Sequence, residues 1–369
     1  MCDLRIIFEN GEEFLGRSFG ADLGTKNIVL EAVFNTSAVG YQEIISDPSY
    51  FGQMVFMTYP LIGSYGITTK DYESRSLCAG ALGVFEYSGK PSNCESITSL
   101  SEELKRYEIP AICEIDARQI VRMIRNFGSM RVLLTGDLKI SKSKSLEIIK
   151  NTPLITNHVE SVQDRFLKTE FNGVGTEIVV IDCGVKKGIL NSLASRNCKI
   201  FVLRFDSSAE NVLRLNPKGV VFSNGPGDPK DNKTVIELIK QLQDKVPIFG
   251  ICLGHQLIAL ANGAETYKMK FGHRGSNHPV KNLKTGKIEI TSQNHSYAVD
   301  IPSISGTDLE LTHINLTDNT AEGLEIKSKK ILSVQYHPES SPGPQDSGYL
   351  FDEFLNLCQN TKILEKSLL

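Results

Sequence analysis

Three features are missing from this 369-residue chain: a Cys-x-x-Cys pair, a long apolar run and an excess of basic residues. Without a Cys-x-x-Cys pair, neither a zinc ribbon nor a thioredoxin-type redox motif is indicated. No apolar run approaches the ~18 residues needed to span a membrane, and residues 1–5 lack the features of a signal peptide. We therefore expect the eight scattered cysteines to be reduced thiols of a cytoplasmic protein without membrane contact.

The charge of the chain argues against a nucleic-acid-binding protein. Its formal net charge is -3, from 40 basic and 43 acidic residues, whereas nucleic-acid binders carry a basic excess or stripe. Apolar residues make up 40% and charged residues 22%, which is ordinary for a globular protein. A chain of this length is long enough for two or three domains with a sizeable core.

The first half of the sequence predicts more strand than helix. Apolar runs at 4–8 and 14–19 flank an Asn-Gly pair, which is typical of a β-hairpin. A helix is predicted over 117–127, with Asp116 as its cap and Gly128 at its end. These patterns indicate a mixed, strand-rich α/β domain.

Composition divides the chain into four segments. The strand-rich α/β domain spans 1–150, and within it residues 36–50 are predicted to form a turn-rich loop. A polar, irregular linker follows at 151–176. The second domain is predicted at 177–360, and residues 361–369 form a tail.

The second domain alternates strands with helices, which predicts a mostly parallel sheet with helices on both faces. Ligands of such folds bind at the carboxyl ends of the strands. The loop at 223–229 and residue Cys252 both follow predicted strands, so they are expected to meet at this edge of the sheet.

Cys252 lies between two glycines, Gly250 and Gly254, after a short apolar strand and before a helix. Such a turn exposes a nucleophile above a sheet, and a helix N-terminus favours the thiolate form of cysteine. A lone cysteine is more often a small core residue, so this prediction depends on the partners found elsewhere.

A cysteine nucleophile needs a base, and the base needs a group that orients it. His337 and Glu339 follow a predicted strand and are two residues apart, so in extended chain they share a face. His255 is predicted to pack or to support the residues of the site, because it lies on the helix after the nucleophile. His273 and His278 are not predicted to bind a metal, because no cysteine or carboxylate lies near them in the sequence.

An acyl-transfer site also needs donors for the oxyanion that develops. The backbone N–H of Leu253, next to the nucleophile, is one candidate. The turn at 225–227 offers another. Phosphate binding is disfavoured, since no Lys-Ser or Lys-Thr completes a P-loop pattern there.

Together, these residues resemble the class I glutamine amidotransferases. The matching motifs are Asn-Gly-Pro-Gly-Asp-Pro at 224–229, Gly-Ile-Cys-Leu-Gly-His-Gln at 250–256 and His-Pro-Glu at 337–339. The resemblance implies that Cys252 attacks the side-chain amide of glutamine, that His337 and Glu339 complete a triad, and that ammonia passes to a synthase.

The rest of the chain resembles the carbamoyl-phosphate synthase small subunits. The resemblance rests on segments in both halves, namely 34–36, 40–44, 47–50, 271–275, 277–280 and 293–295. It implies glutamine contacts from Ser49, Gly225, Gly227, Leu253, Gln256, Asn294, Ser296 and Tyr297. Ser296 and Tyr297 depart from the family pattern, which has glycine and phenylalanine there.

The same resemblance implies a large synthetase subunit as partner, which would bind ATP, magnesium and bicarbonate. No cofactor or metal is expected in this chain itself, and the thioester formed on Cys252 would be hydrolysed to release ammonia. Whether the product serves arginine or pyrimidine biosynthesis stays open. Two other functions are compatible with parts of the pattern: a free-standing cysteine hydrolase of γ-glutamyl compounds, and a non-catalytic regulatory subunit.

Overall fold

The computed structural model describes residues 3–163 and 170–359. The predicted tail at 361–369 and part of the predicted linker therefore lie outside the described residues. The strands of the first domain are β1 (Asp3–Phe8), β2 (Glu13–Ser18), β3 (Asn27–Asn35), β4 (Gln53–Met57), β5 (Leu61–Ile62), β6 (Ala81–Gly83), β7 (Glu86–Tyr87), β8 (Ala111–Cys113) and β9 (Met130–Thr135).

Seven of these strands close into a barrel in the order β1-β2-β8-β6-β4-β3-β9. The predicted hairpin is confirmed, because β1 and β2 pair antiparallel with Ile6 opposite Phe14. Alternate side chains of the strands point inward and fill the barrel with buried apolar groups. Strands β5 and β7 form a separate two-stranded sheet.

The helices of this domain are α1 (Tyr41–Ser46), α2 (Leu100–Arg106), α3 (Ala117–Phe127) and α4 (Lys142–Asn151). The prediction for α3 is confirmed at both ends: Asp116 accepts the backbone N–H of Gln119 at 2.8 Å, and Gly128 ends the helix with φ 100°. Ile120 and Ile124 bury its apolar face against the barrel.

The prediction of a turn-rich loop at 36–50 is wrong in part. Helix α1 begins after Gly40, whose φ of 85° reverses the chain, and a 3-10 turn follows at Pro48–Tyr50. The turn is capped by Asp47, which accepts the backbone N–H of Ser49 at 2.9 Å. This cap fixes the position of Ser49 relative to the second domain.

The predicted linker contains regular structure within its described part. Helix α5 (His158–Ser161) is one turn long, and β10 (Glu170–Asn172) pairs antiparallel with a strand of the second domain. The segment is therefore built onto the second domain along part of its length.

The second domain contains a sheet of ten strands. Besides β10, these are β11 (Glu177–Asp182), β12 (Lys199–Arg204), β13 (Gly219–Phe222), β14 (Ile248–Ile251), β15 (Thr266–Asn282), β16 (Ile288–Val299), β17 (Glu310–Asn315), β18 (Ala321–Ile326) and β19 (Ile331–Val334). Their order is β10-β12-β11-β13-β14-β19-β18-β17-β15-β16.

The centre of this sheet is parallel, as predicted. Strands β12, β11, β13, β14 and β19 run in one direction, and β18, β17, β15 and β16 continue the sheet antiparallel. The helices of the second domain are α6 (Lys187–Ala194), α7 (Ala209–Arg214), α8 (Lys233–Leu242), α9 (Leu253–Ala261) and α10 (Tyr349–Gln359).

Two apolar clusters pack on opposite faces of the parallel strands, one with α8 and α9 and the other with α6 and α10. The second domain is thus a helix-flanked α/β sheet, and the predicted fold class is confirmed. None of the helices in the described residues is long and apolar enough to cross a membrane. The carboxyl ends of β13, β14 and β19 meet at one edge, where the first domain contacts the second.

Candidate active site

Cys252 occupies a strained turn between β14 and α9. Its backbone has φ 56° and ψ −102°, a conformation that residues other than glycine rarely adopt. Its N–H donates to the Val334 carbonyl at 2.9 Å. A Cβ at Gly254 would lie 2.1 Å from the carbonyl oxygen of Phe222, and one at Gly250 would lie 2.8 Å from the Gly254 backbone. Both glycines are therefore required for the turn, and the thiol lies at the N-cap of α9 as predicted.

His337 and Glu339 lie just beyond β19, next to Cys252. The Nδ1–H of His337 donates to Oε1 of Glu339 at 2.6 Å, which leaves Nε2 for chemistry. The chain turns here, since the Ser340 N–H donates to the His337 carbonyl at 3.1 Å. His337 and Glu339 were predicted to meet on one face of extended chain. They do meet, but a turn of the chain brings them together. The backbone of His337 is held by its N–H bond to Ser292 on β16, at 2.9 Å.

The charges around His337 favour its protonated form. Burial and the Lys186 ammonium oppose the imidazolium, but the Glu339 carboxylate and the nearby Cys252 thiol together outweigh them, so the pKa of His337 rises to about 10. Nε2 of His337 has no hydrogen-bond partner among the described residues. The His337 ring can therefore hold a proton on Nε2 close to the Cys252 thiol and donate it to a neighbouring group.

Glu339 is buried and stays ionised because two cations flank it. Burial alone would raise its pKa, but Lys186 and the imidazolium of His337 lower the pKa of Glu339 to about 2. Nζ of Lys186 donates to Oε1 of Glu339 at 2.9 Å and to the Ser340 carbonyl at 3.0 Å. Nothing in the sequence around Lys186 predicts this role.

A cavity of about 510 Å³ opens beside Cys252. The structure brings all eight predicted glutamine contacts to its wall: Ser49, Gly225, Gly227, Leu253, Gln256, Asn294, Ser296 and Tyr297. Both candidate sources of oxyanion donors, the turn at 225–227 and Leu253, are therefore next to the thiol. Cys252 itself also lines this cavity.

Ser49 is held in the wall by a residue of each domain. Its Oγ accepts from Nδ2 of Asn224 at 2.9 Å, so the hydroxyl proton is left to donate. Asp47 accepts from Asn294 Nδ2 at 2.9 Å and from Asn224 at 3.4 Å. Asp47 and Asn224 were not predicted as site residues, although both lie inside the motifs that carried the prediction.

Gln256 and Tyr297 shape the opposite part of the wall. The Gln256 amide donates to the Tyr297 carbonyl at 2.8 Å and to Oε1 of Gln335 at 2.9 Å. Burial raises the pKa of the Tyr297 hydroxyl, and the neighbouring Asp228 carboxylate raises it further. The tyrosine therefore keeps its proton beside Asp228 of the 223–229 loop.

Ser296 fits where the family pattern has glycine. Its backbone φ is not positive, so a Cβ is tolerated without strain. Its Oγ accepts a short hydrogen bond from Nη2 of the buried Arg274, whose Nη1 donates to the Phe271 carbonyl at 3.0 Å. The added hydroxyl points to the arginine and leaves the backbone of residue 296 in the cavity wall.

The remaining histidines lie outside the triad. His255 is buried on α9 and bonds to Ser333 Oγ at 3.0 Å, in the packing role predicted for it, and burial lowers its pKa to about 3. His273 does have carboxylate neighbours, contrary to the sequence analysis. Burial opposes its charge, but Asp318, 2.9 Å from Nε2, and Glu322 raise the pKa of His273 to about 9.

His273, His295 and Glu322 converge closely enough to suggest a metal site. Nδ1 of His295, however, lies 2.7 Å from the Tyr297 carbonyl oxygen, and Nε2 lies 2.6 Å from Oε1 of Gln293. Both ring nitrogens of His295 thus lie within hydrogen-bond distance of protein oxygens.

Comparisons with known proteins match both halves of the chain. Residues 179–357 match the glutamine amidotransferase class-I family model, and residues 6–134 match that of the carbamoyl-phosphate synthase small chain, CPSase domain.

Curated relatives match over almost the whole length. The carbamoyl phosphate synthase small chain of Fusobacterium nucleatum is 48% identical over 98% of this chain and 100% of its own. The pyrimidine-specific small chain of Bacillus subtilis is 49% identical over 97% of this chain and 96% of its own. This chain therefore belongs to the carbamoyl-phosphate synthase small-chain family and is a glutamine amidotransferase subunit.

Proposed function

We propose that this chain releases ammonia from glutamine through a glutamyl-thioester on Cys252 and delivers it to a large synthetase subunit. The single observation that carries the proposal is the position of Cys252, which lies in the wall of a cavity of about 510 Å³ lined by residues of both domains and adjoins the hydrogen-bonded pair His337–Glu339.

The first half of the reaction forms the thioester. The Cys252 sulfur attacks the γ-carboxamide carbon, and backbone N–H groups near Leu253 and Gly225 stabilise the oxyanion. When the C–N bond breaks, the imidazolium of His337 protonates the leaving nitrogen and ammonia departs.

The second half releases glutamate. The neutral His337 takes a proton from water, and the resulting hydroxide attacks the thioester carbon. The C–S bond breaks and the thiolate returns, while Glu339 stabilises the imidazolium that forms again. Atoms and charges balance, with one glutamine and one water giving glutamate, ammonia and the proton that the new carboxylic acid releases.

A second, small cavity behind His337 supports transfer of ammonia through the protein. Its volume is about 20 Å³, enough for a molecule the size of water. The wall includes Ser37, Ser276 and Ser292, none of which lines the larger cavity. Hydroxyl groups can bond to ammonia as it leaves, so this side of the triad suits an exit towards a partner.

The partner would supply the remaining chemistry. The large subunit would bind ATP, magnesium and bicarbonate and combine them with ammonia into carbamoyl phosphate. The pyrimidine-specific name of one relative favours pyrimidine biosynthesis as one use of the product. No cofactor is assigned to this chain.

A free-standing hydrolase of γ-glutamyl compounds is the alternative. The triad would serve it equally well, but the first domain contributes Ser49 and Asp47 to the same cavity. A lone hydrolase has no need of that domain, so these contacts favour the subunit. Retention of all three triad residues disfavours a purely regulatory chain.

The variant Cys252→Ser separates the two functions of the complex. A serine hydroxyl is far less acidic than a thiol, so His337 should not activate it, and glutamine-dependent synthesis should fall by several orders of magnitude. Synthesis from added ammonium should stay near the wild-type rate. Both rates are measured as carbamoyl phosphate formed by the reconstituted complex.

Two results would contradict the proposal. Near-wild-type synthesis from glutamine would remove Cys252 as nucleophile. Failure of ammonium to support synthesis, in a complex that still assembles, would refute the division of labour between the chains.

A further inference from the structure

We propose that Glu73, in the first domain, is a positioning residue for the triad: it balances the charge of Lys186, so that Glu339 can stabilise protonated His337. The inference rests on the proposed function, because it concerns the same cysteine and histidine. It gives the first domain an electrostatic role at the reaction centre, in addition to any contact with a partner.

Glu73 is buried and fixed in place at several points. Its Oε2 lies 3.7 Å from Nζ of Lys186 and accepts the backbone N–H of Gly188 at 3.1 Å. Its own carbonyl accepts the N–H of Lys187 at 2.7 Å, and its N–H donates to Oγ of Ser46 at 2.9 Å. The carboxylate is thus locked against the start of α6, which belongs to the second domain.

Lys186 lies between two carboxylates, one from each domain. It is 2.9 Å from Oε1 of Glu339 and 3.7 Å from Oε2 of Glu73, and its side chain is only 4% exposed. In a buried site, an ammonium paired to Glu339 alone would neutralise the charge on which His337 depends. The second carboxylate restores a net negative charge to the three-residue group.

The other charged groups near Lys186 are less able to take this role. Asp47 adds a negative field, but both of its carboxylate oxygens accept bonds from Asn224, Asn294 or the Ser49 N–H. Glu43 on α1 is further from the ammonium, and burial raises its pKa to about 7. In the described part of the first domain, Glu73 is the one side chain in ion-pair contact with Lys186.

Removal of the Glu73 charge should destabilise the protonated form of His337 and so lower the pKa of this ring. The groups that face this ring are Glu339, Cys252 and Lys186, and only Lys186 disfavours its charge. With Glu73 neutral, the positive field of Lys186 is no longer offset. Burial already raises the pKa of the Glu73 carboxyl, so a fall in pH would have the same effect in the wild-type protein.

The test is a pH titration of the His337 ring by nuclear magnetic resonance in the full chain. Labelled histidine gives seven ring signals, and the His337 signal is identified by its loss in His337→Gln. All proteins carry Cys252→Ala, so that titration of the thiol does not mix with that of the ring. In Glu73→Gln, we expect the midpoint for His337 to fall by about one pH unit, as for loss of one charge in a buried site.

Two variants act as controls. Glu73→Asp keeps the charge and should retain most of the wild-type midpoint. Glu103→Gln removes another buried carboxylate of the first domain, which bonds to Tyr72 beside Glu73 but not to Lys186, and it should leave the midpoint unchanged. The six other histidine signals report whether each variant is folded.

A wild-type midpoint in Glu73→Gln would overturn the inference. An equal shift in Glu103→Gln would also overturn it, because the cause would then be disruption of the loop. The titration needs no glutamine, so its outcome is independent of the glutaminase assay that tests the proposed function.

Discussion

Glu339 is buried, yet it must stay ionised to support the imidazolium of His337. Its Oε1 is shared between His337 Nδ1 at 2.6 Å and Lys186 Nζ at 2.9 Å. These two cations compensate for the loss of solvation, so the carboxylate contributes to stability as long as it is charged.

The stability of the protein should therefore depend on the charge of Glu339 in acid. The folded-state pKa of Glu339 is about 2, below its ordinary 4.5, so its contribution is complete above about pH 4.5 and is lost as the pH falls towards 2. The difference in free energy of unfolding between wild type and Glu339→Gln should shrink over this range, on the order of 3 kcal/mol in total. Urea unfolding at several pH values measures it.

An exposed glutamate provides the comparison. Glu147 pairs with Lys144 on the surface of α4, and Glu147→Gln should change stability by less than about 1 kcal/mol. A wild-type minus Glu339→Gln difference that stays constant from pH 6 to pH 3 would contradict the assignment of the pKa shift to this carboxylate.

At the residue scale, local patterns indicated the nucleophile but not its electrostatic support. Cys252, His337 and Glu339 lie within short motifs, and their types alone suggest chemistry. Lys186 looks like an ordinary surface lysine at a helix start, and Glu73 lies 113 residues earlier in the chain. Only the packing of the two domains brings these opposite charges together, and the sequence has no local signal for that.

At the scale of elements, the turn between β14 and α9 depends on close backbone contact. A Cβ at Gly254 would lie 2.1 Å from the Phe222 carbonyl oxygen at the end of β13. Because backbone atoms on both sides are fixed by the sheet, the clash cannot be relieved by a side-chain rotation.

Gly254→Ala should therefore destabilise the protein by about 3 kcal/mol or more and abolish glutaminase activity. A matched control is Gly89→Ala: its added Cβ would meet no atom closer than 3.6 Å, and its φ is not positive. That variant should keep both stability and activity. Unfolding by urea and ammonia release from glutamine measure the two effects, and a fully active Gly254→Ala would show that the turn tolerates a side chain.

Elements with a strong apolar periodicity could be predicted from the sequence, and elements that depend on their neighbours could not. The strands and helices of the parallel sheet have strong apolar periodicity, so their positions followed from the sequence. Strand β15 (Thr266–Asn282) was missed because its lysines, glycines and proline resemble a loop. Its extended form comes from pairing with β16 on one side and β17 on the other. Helix α1 was missed because it is only six residues long.

At the scale of the whole molecule, the active site is shared between two domains. Thr36 N–H donates to the Arg274 carbonyl at 3.1 Å, and Ser37 Oγ lies 2.8 Å from Ser276 Oγ. Asp47 from the first domain bonds to Asn294 in the wall of the cavity beside Cys252. A small change in the relative position of the domains would therefore move groups of the cavity wall beside Cys252, where we propose that glutamine binds.

This arrangement predicts that a large synthetase subunit accelerates glutamine hydrolysis. Misplacement by about 1 Å at a reaction centre can cost roughly 100-fold in rate, so a partner that fixes the domains in the productive arrangement should raise kcat at least about 10-fold. The measurement is ammonia release from glutamine by the chain alone and by the reconstituted complex with ATP and bicarbonate. Complexes with Cys252→Ser give the background, and a chain that is fully active alone would instead favour the free-standing hydrolase.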